Sequence, residues 1–214
     1  MDDVAGAFAR LVASGSAAAD GAYRIALSGG ATARRCYERL ATTDGLAWEH
    51  LELFVGDERC VPFDDRDANE ALIRGCLGTR LDEVASFHPM RCDEAAAYEA
   101  LIARSQPLDL VHLGFGRDGH TASLFPGTPQ LDSPPGRLVV HSVDPTGVNP
   151  HRRLSLTFGA IARSKLAVFT VSGAEKRRAF EELLAGEDLP AARVRAGRVL
   201  WLCDPEAAGP SPGE

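Results

Sequence analysis

The sequence predicts an α/β protein with a mainly parallel sheet that helices cover on both faces. Two observations lead to this fold class. Short apolar runs alternate along the chain with segments of helical periodicity, and several of the runs stop at glycine. Alternating strands and helices are typical of βαβ units and a parallel sheet. With 214 residues, the chain is long enough to bury a core of this kind.

The elements follow in chain order from these patterns. Val4, Phe8 and Leu11 recur at helical spacing near the start, and later helices are placed on the same periodicity. Short apolar runs bounded by turn residues are assigned to strands. The predicted helices are 2–18, 32–42, 68–77, 94–105 and 174–186. The predicted strands are Tyr23–Leu27, Leu51–Val55, Leu108–Leu113, Leu138–Val143, Leu166–Val171 and Val199–Leu202.

The chain contains no linker or internal repeat, so we expect a single domain over 1–204. Residues 205–214 are rich in Pro, Gly and Ala and are expected to form a flexible tail. There is no apolar run of 18 residues and no basic, apolar leader at the N-terminus. We therefore expect neither a membrane span nor a signal peptide.

The formal net charge is −7, which argues against general nucleic-acid binding. Only two of the 23 basic residues are lysines, Lys165 and Lys176. The five cysteines form no CxxC pair, and the even spacing of Cys60, Cys76 and Cys92 matches no metal-binding pattern. We expect all five to be reduced thiols in a cytoplasmic protein.

Ligands of such sheets bind at the carboxyl ends of the strands, which directs attention to four loops. The first, Ser28-Gly29-Gly30-Ala31-Thr32, runs into a helix. Its glycines permit close approach of a ligand, and the helix N-terminus offers N–H groups to an anion or to sugar oxygens. The alternative is a tight turn in which Thr32 caps the helix.

The second loop carries three consecutive charged residues, Asp57, Glu58 and Arg59. Arg59 can offer a fork of donors to a phosphate, and the carboxylates can hold it in place or accept sugar hydroxyls. The alternative is a solvated charged loop. Asn69 opens the next helix, either as its cap or as a ligand to this loop.

The third loop, 114–123, contains G-x-G-x-x-G. It is not read as a dinucleotide fingerprint, because the next strand does not end in an acidic residue. The loop places Asp118 two residues before His120. Histidine can take and return a proton near neutral pH, and a carboxylate can orient it. A structural histidine is the alternative.

The fourth loop leads to Lys176 at a helix start, and Arg153 is a further candidate cation. With Arg59 they would form a cationic pocket that suits a small phosphorylated substrate. A serine hydrolase is poorly supported, because the G-x-S-x-G elbow is missing. A metal enzyme is also poorly supported, because the histidines lack a metal-ligand spacing.

Together the four loops resemble the 6-phosphogluconolactonase family of the glucosamine/galactosamine-6-phosphate isomerase superfamily. The resemblance extends from Ala26 to Val194, and its most specific stretch is 114–127. It implies a Rossmann-like three-layer α/β sandwich, similar to sugar-phosphate isomerases and CoA transferases. The chain departs from the usual family pattern at Ala33, where proline is common, and at Thr146-Gly147, where Lys-Pro is common. The second departure concerns the shape of the loop at 144–152.

The resemblance implies hydrolysis of 6-phospho-D-glucono-1,5-lactone to 6-phosphogluconate in the oxidative pentose phosphate pathway. It implies His120 as the general base for a water molecule and Asp118 as the group that orients His120 or a sugar hydroxyl. Arg59 and Lys176 would hold the phosphate, and N–H groups near Gly29-Gly30 or Gly116 would stabilise the oxyanion. The implied substrate-binding residues are Ser28, Gly29, Gly30, Thr32, Asp57, Glu58, Arg59, Asn69, Gly116, Gly119, Arg153 and Lys176.

The expected partner is therefore a phosphosugar lactone, with no cofactor, no metal, no nucleic acid and no membrane, and the expected state is a monomer. Two other functions stay open. An amino-sugar-6-phosphate deaminase or isomerase resembles the chain in fold and in the Asp-Gly-His loop, and it would release ammonia or rearrange its substrate. A non-catalytic sugar-phosphate binder is the other, although such sensors usually carry a DNA-binding segment that this chain lacks.

Overall fold

The computed structural model describes residues 2–209 of the chain. The strands are β1 (Tyr23–Leu27), β2 (Leu51–Val55), β3 (Asp57–Arg59), β4 (Ser86–His88), β5 (Leu110–Leu113), β6 (Val139–Ser142), β7 (Arg153–Leu156), β8 (Leu166–Val171) and β9 (Arg198–Cys203). The helices are α1 (Asp2–Ala17), α2 (Ala31–Ala41), α3 (Asn69–Leu77), α4 (Ala95–Ser105), α5 (Phe158–Ile161), α6 (Arg177–Leu184) and α7 (Pro205–Ala208). Each predicted strand and helix has a counterpart here. None of the helices within 2–209 has the length and apolar character needed to cross a bilayer.

Six strands form one parallel sheet in the order β4-β2-β1-β5-β8-β9, which confirms the predicted sheet type. From β1 the chain builds outward through β2 and β4, and it then returns to the other side of β1 to add β5, β8 and β9. The strand order therefore reverses between β1 and β5. In open α/β sheets, the crevice outside the carboxyl ends of such strands is where ligands bind.

Helices cover both faces of this sheet. Phe8 of α1 and Tyr37 of α2 contact the ring of His112 on β5, at centroid distances of 4.2 and 5.5 Å. Phe180 of α6 contacts Trp201 of β9 at 5.8 Å. The register aligns Trp201 with the residue after His112, and successive strand residues face opposite sides of a sheet. The protein is therefore the three-layer α/β sandwich that the sequence predicted.

A second, antiparallel sheet of order β3-β7-β6 lies at the carboxyl ends of β1 and β2. Gly56, between β2 and β3, joins the two sheets: its N–H donates to Leu27 O, and its carbonyl accepts the N–H of Leu156. Of the three strands, the sequence predicted only β6. β3 reads Asp-Glu-Arg, so it lacks the apolar run by which the other strands were recognised.

The predicted flexible tail begins with an ordered turn. Pro205–Ala208 form α7, and the Asp204 side chain caps this helix by accepting the N–H of Ala207 at 2.8 Å. Ala207 is fully buried. Proline at the first helical position and an aspartate before it are a standard helix start, which the compositional prediction overlooked. Residues 210–214 of the predicted tail lie outside the described residues.

The expectation of five reduced cysteines is wrong for one pair. Cys60 and Cys92 form a disulfide with a Cα–Cα distance of 5.5 Å, whereas Cys36, Cys76 and Cys203 are free. Cys60 directly follows β3, and Cys92 lies between β4 and α4. The partners are 32 residues apart, and they meet because β2 pairs with β4. Such a tertiary pairing leaves no local spacing motif in the sequence.

Candidate active site

A cavity of about 650 Å³ opens at the carboxyl ends of β1 and β5 and extends to the small sheet. This size suits a small-molecule ligand. All four predicted strand-end loops contribute to its wall. The predicted site residues that line it are Ser28, Gly29, Gly30, Asp57, Arg59, Asn69, Gly116, Asp118, His120, Arg153 and Lys176.

The Asp118 and His120 side chains are hydrogen-bonded to each other in the cavity wall. His120 Nδ1 lies 2.5 Å from Asp118 Oδ1, and the His120 backbone N–H donates to the same oxygen at 3.2 Å. Burial acts to raise the pKa of Asp118, but the hydrogen bond and the attraction of the His120 ring outweigh it, so that pKa is lowered. Asp118 is therefore an ionised acceptor near neutral pH.

The ionised carboxylate fixes the tautomer of the histidine. A carboxylate without a proton can only accept hydrogen bonds, so His120 Nδ1 must be the nitrogen that carries hydrogen. The neutral ring then keeps its lone pair on Nε2. Because the ring lines the cavity, this arrangement can withdraw a proton from a bound water molecule or substrate hydroxyl.

The loop around this pair is shaped by its small residues. Gly116 N–H donates to His120 O at 2.8 Å. A Cβ atom at Gly116 would collide with the His120 ring and with the Asp118 carboxylate. The Thr121 hydroxyl donates to Gly114 O at 2.9 Å, and Ala122 adopts a left-handed φ of 48°. Non-glycine residues in this conformation are uncommon and often occur at functional sites.

The small sheet gives the cavity a polar face. Directly paired residues of an antiparallel sheet lie on the same side, so Asp57 and Arg59 share one side with Arg153. We call this the front face; Arg153 and Asp57 are both buried there. Arg153 donates to Asn149 Oδ1 at 3.1 Å and lies 3.9 Å from Asp57, which accepts the hydroxyl of Ser123 at 2.7 Å.

Arg153 and Arg59 are cross-strand neighbours of like charge. Burial lowers the pKa of Arg153, as does its proximity to Arg59, whereas Asp57 counteracts both. The buried Nε atom of Arg153 has no hydrogen-bond partner among the described residues. Two adjacent guanidinium groups, one of which has an unpartnered N–H donor, favour the binding of an anion.

Arg59 is held by the segment that precedes α3. Its guanidinium donates to Asp67 O and lies 3.4 Å from Asn69 Oδ1. Asn69 in turn donates from Nδ2 to Asp57 O at 2.7 Å. Asn69 occupies the first helical position and makes no side-chain cap, so of the two alternatives the structure favours its contacts with this loop.

Three predicted substrate-binding residues do not line the cavity. Glu58 lies between Asp57 and Arg59 and therefore faces the other side of the small sheet, which we call the rear face. Its carboxylate accepts the N–H groups of Arg59, Asn69 and Glu70, each at 2.7 Å, and so caps α3. Burial raises the pKa of Glu58, although these three hydrogen bonds oppose the shift.

The other two are Thr32 and Gly119. Thr32 is the second residue of α2, whose cap is Gly30 with φ 97°, so Thr32 neither caps the helix nor lines the cavity. Gly119 adopts φ 76°, and a Cβ there would press against Leu189. Glycine at this position therefore allows the turn before His120 to form. At Gly29, the missing side chain leaves room for the Asn69 amide.

Lys176 lies at the cavity end of the loop after β8. Burial lowers the pKa of its ammonium, and Arg117 lowers it further, whereas Glu175 and Asp118 act in the opposite direction. Arg117 also lines the cavity, although sequence reasoning had not assigned it a role. Lys176 and Arg117 thus form a second cationic patch beside the Asp118–His120 pair.

A buried hydrogen-bond chain holds the Ser28 backbone in the first loop. Ser28 N–H donates to the Tyr37 hydroxyl at 2.7 Å, and that hydroxyl donates to Ser28 O at 2.9 Å. The other side of Tyr37 meets His112 Nδ1 at 2.9 Å, and His112 Nε2 meets the Thr170 hydroxyl at 2.8 Å. Burial lowers the pKa of His112 to about 3, so its neutral ring is a structural link. In the sequence, the position of His112 inside an apolar strand is the feature that could have indicated this role.

The segment 144–149 also lines the cavity through Asp144, Thr146, Val148 and Asn149, none of which was predicted. The buried Asp144 carboxylate accepts both N–H and O–H of Thr146, and N–H and Nδ2–H of Asn149. Burial opposes ionisation of Asp144, but these hydrogen bonds prevail and lower its pKa to about 2. An aspartate two residues before a Thr-Gly pair is a turn pattern from which this loop could have been found in the sequence.

Comparisons with known proteins agree with this fold. Residues 1–201 match the family model for glucosamine-6-phosphate isomerases and 6-phosphogluconolactonase. The 6-phosphogluconolactonase of Synechocystis is 36% identical over 203 residues, covering 86% of this chain and 82% of the relative. That of Mycobacterium bovis is 37% identical over 235 residues, covering 98% and 94%. The solved 6-phosphogluconolactonase of Trypanosoma brucei superposes with a TM-score of 0.85 at 27% identity, covering 97% and 94%.

Proposed function

The chain belongs to the family of glucosamine-6-phosphate isomerases and 6-phosphogluconolactonases, and on this premise we propose that it hydrolyses 6-phospho-D-glucono-1,5-lactone to 6-phosphogluconate. This is a hydrolytic step of the oxidative pentose phosphate pathway. The observation that carries the proposal is the Asp118–His120 pair in the wall of a cavity with four cationic side chains. The relatives that match most of the chain are named for the lactonase activity.

His120 is the general base. Its Nε2 takes a proton from a water molecule as the water oxygen bonds to the lactone carbonyl carbon. The bond from that carbon to the ring oxygen then breaks, and His120 returns the proton to the ring oxygen, so the ring opens to a hydroxy acid that ionises. General-base catalysis of this kind contributes about 10²- to 10⁴-fold. Asp118 keeps the imidazole in the Nδ1–H tautomer that this role needs.

The oxyanion of the tetrahedral intermediate is assigned to the Gly29–Gly30 turn. Of the two candidate sets of N–H groups, Gly116 N–H already donates to His120 O. Gly29 and Gly30 line the cavity just before the N-terminus of α2, where the helix dipole favours negative charge. This supports Gly29 and Gly30 as the donors.

The phosphate is held by Arg59 and Lys176, with Arg117 and Arg153 close to them in the same cavity wall. Lys176 lies in the loop after β8 and Arg59 lies at the end of β3, so together they fix the substrate along two directions and hold its lactone carbonyl beside His120. Such positioning lowers the entropic part of the barrier. Asp57 and Asn149 are positioning residues, because they hold Arg153 and touch it directly.

The family model covers isomerases as well as lactonases, so the test compares both chemistries. Freshly generated 6-phosphogluconolactone is added to the protein and 6-phosphogluconate is detected with a coupled enzyme, with the spontaneous opening of the lactone subtracted. In parallel, ammonia release from glucosamine 6-phosphate is measured. We expect hydrolysis well above the background and no ammonia. Ammonia release without lactone hydrolysis would make the chain a deaminase, and binding of the lactone without turnover would make it a sensor.

We further propose that the protein acts as a monomer in the cytoplasm, with a small-molecule substrate and no nucleic-acid partner. Support comes from the net charge of −7 and from the three free cysteines, since free thiols are usual in a reducing compartment. Sedimentation of the purified chain tests the oligomeric state. The Cys60–Cys92 disulfide is the feature that is unusual for a reducing compartment.

A further inference from the structure

The rear face of the small sheet carries three groups that the proposed reaction does not use. Cys60 follows β3, Cys92 lies between β4 and α4, and His141 belongs to β6. Their sulfur atoms and one imidazole nitrogen all lie within 4.8 Å of one another. We call these three residues the rear cluster. His141 is aligned with Glu58 across β7, so it faces away from the catalytic cavity.

His141 is the observation that goes beyond a simple disulfide. Its Nδ1 atom is buried, yet it has no hydrogen-bond partner among the residues that the structure describes. Buried polar nitrogens in folded proteins nearly always have a partner. A histidine without one, beside two cysteine sulfurs, has the composition of a metal-ligand set.

We propose that, when Cys60 and Cys92 are reduced, the rear cluster binds one Zn²⁺ ion through the two thiolates and His141. Tetrahedral zinc takes Zn–S bonds of about 2.3 Å and Zn–N bonds of about 2.0–2.1 Å, which places its ligand atoms about 3.5–3.8 Å apart. The ligand atoms of the rear cluster already lie within 4.8 Å of one another. Side-chain rotation after reduction therefore completes the set without movement of the strands.

A fourth position is available to water. A separate cavity of about 230 Å³ is lined by Cys60 and Cys92, with Met90 and Asp93 beside them. Two thiolates, one neutral imidazole and one water molecule around Zn²⁺ give a complex without net charge, which is the form that a half-buried site tolerates. Zinc also fits this mixed sulfur and nitrogen set better than magnesium or calcium, which prefer oxygen ligands.

A dithiol can serve as the reductant of the Cys60–Cys92 disulfide. The disulfide accepts two electrons and two protons, and the dithiol becomes a disulfide. Zn²⁺ then displaces the two thiol protons, because a coordinating cysteine binds as the thiolate. In both states the end of β3, next to Arg59, is tied to the segment before α4: by the disulfide under oxidising conditions, and by the metal under reducing conditions. A reducing cytoplasm would therefore favour the metal-bound form.

The test is metal binding to the full-length protein reduced with a phosphine, which adds no thiol ligand. Co²⁺ serves as the spectroscopic probe, and Zn²⁺ is then added to displace it in competition with a chromophoric chelator. We expect one equivalent of metal, with near-ultraviolet thiolate-to-cobalt absorption and the intense visible bands of tetrahedral cobalt. Cys92→Ser should abolish the thiolate absorption at one equivalent. His141→Gln should weaken Zn²⁺ binding by more than the about 10- to 100-fold that is typical of changes to outer-shell partners.

Cys203→Ser is the matched control, because Cys203 is a partly buried free thiol outside the rear cluster, and it should bind metal as the unsubstituted chain does. If a cluster variant fails to fold, the oxidised unsubstituted chain replaces it, since its disulfide removes both thiolates. The proposal is overturned if the reduced chain gives no thiolate–cobalt absorption, if Cys203→Ser loses it, or if the oxidised chain binds Zn²⁺ as tightly as the reduced one. None of these readouts depends on lactone hydrolysis.

Discussion

At the scale of single residues, the proposed catalysis depends on an imidazole whose tautomer is set by its neighbour. The Asp118 carboxylate accepts from His120 Nδ1 at 2.5 Å, and its pKa is lowered by that contact in spite of burial. The sequence pattern Asp-Gly-His predicted the two partners. It did not predict Arg117 or Asn149 as cavity residues, because their roles depend on which loops meet in space.

Asp118→Asn should lower kcat by about 10²-fold or more, with a smaller change in KM. The asparagine amide can donate to Nδ1, which stabilises the Nε2–H tautomer and removes the basic lone pair from the catalytic nitrogen. Steady-state kinetics on the lactone measure this change. Asp64→Asn, at an exposed carboxylate outside the cavity, is the control and should match the unsubstituted chain. A kcat for Asp118→Asn equal to that of the control would contradict the tautomer argument.

The two lysines allow a matched test of the phosphate site. Lys176→Met should raise KM for the phosphorylated lactone by about 10- to 100-fold, because a hydrogen bond to a charged group is worth about 1.5–3 kcal/mol. Arg59→Ala should act in the same direction. In both variants kcat/KM for the unphosphorylated lactone should change little. Lys165→Met is the control, since Lys165 pairs with Asp109 outside the cavity. An unchanged preference for the phosphate in Lys176→Met would remove Lys176 from the phosphate site.

At the scale of elements, the short strand β3 explains why one predicted residue fell outside the cavity. Asp57, Glu58 and Arg59 were assigned together as a charged loop, but they form a strand, and alternation sends Glu58 to the rear face. There its carboxylate caps α3. Three charged residues do not resemble an apolar strand, so the sequence alone could not separate their roles. The apolar strands β1, β2 and β8 have the bounds that were predicted for them.

Gly116→Ala tests the loop that carries His120. The added methyl group collides with the His120 ring and the Asp118 carboxylate, so kcat should fall by about 10²-fold or more as the base is displaced. The matched control is Gly75→Ala in α3, where a Cβ meets nothing within 4 Å. That variant should keep its activity and gain about 0.5–1 kcal/mol of unfolding free energy. Kinetics and urea denaturation of both variants check the pair, and full activity in Gly116→Ala would show that the loop tolerates the collision.

At the scale of the whole molecule, the strand order determines where the site lies. The reversal between β1 and β5 leaves a crevice at their carboxyl ends, and the loops after β1, β2, β5 and β8 meet around it. Apolar periodicity was enough to predict five of the six strands of this sheet, all except β4, and the four loops followed from those strands. The antiparallel sheet, the Asp144 loop and the Cys60–Cys92 pair were not predicted, because each depends on contacts between distant segments rather than on a local pattern.

The proposed hydrolysis depends above all on His120 as the base. The most direct test is the turnover of freshly generated 6-phosphogluconolactone by His120→Ala, with spontaneous opening subtracted and folding confirmed by thermal denaturation. We expect kcat to fall by about 10²- to 10⁴-fold, while the melting temperature stays close to that of the unsubstituted chain. A folded His120→Ala protein that hydrolyses the lactone at the unsubstituted rate would contradict the account.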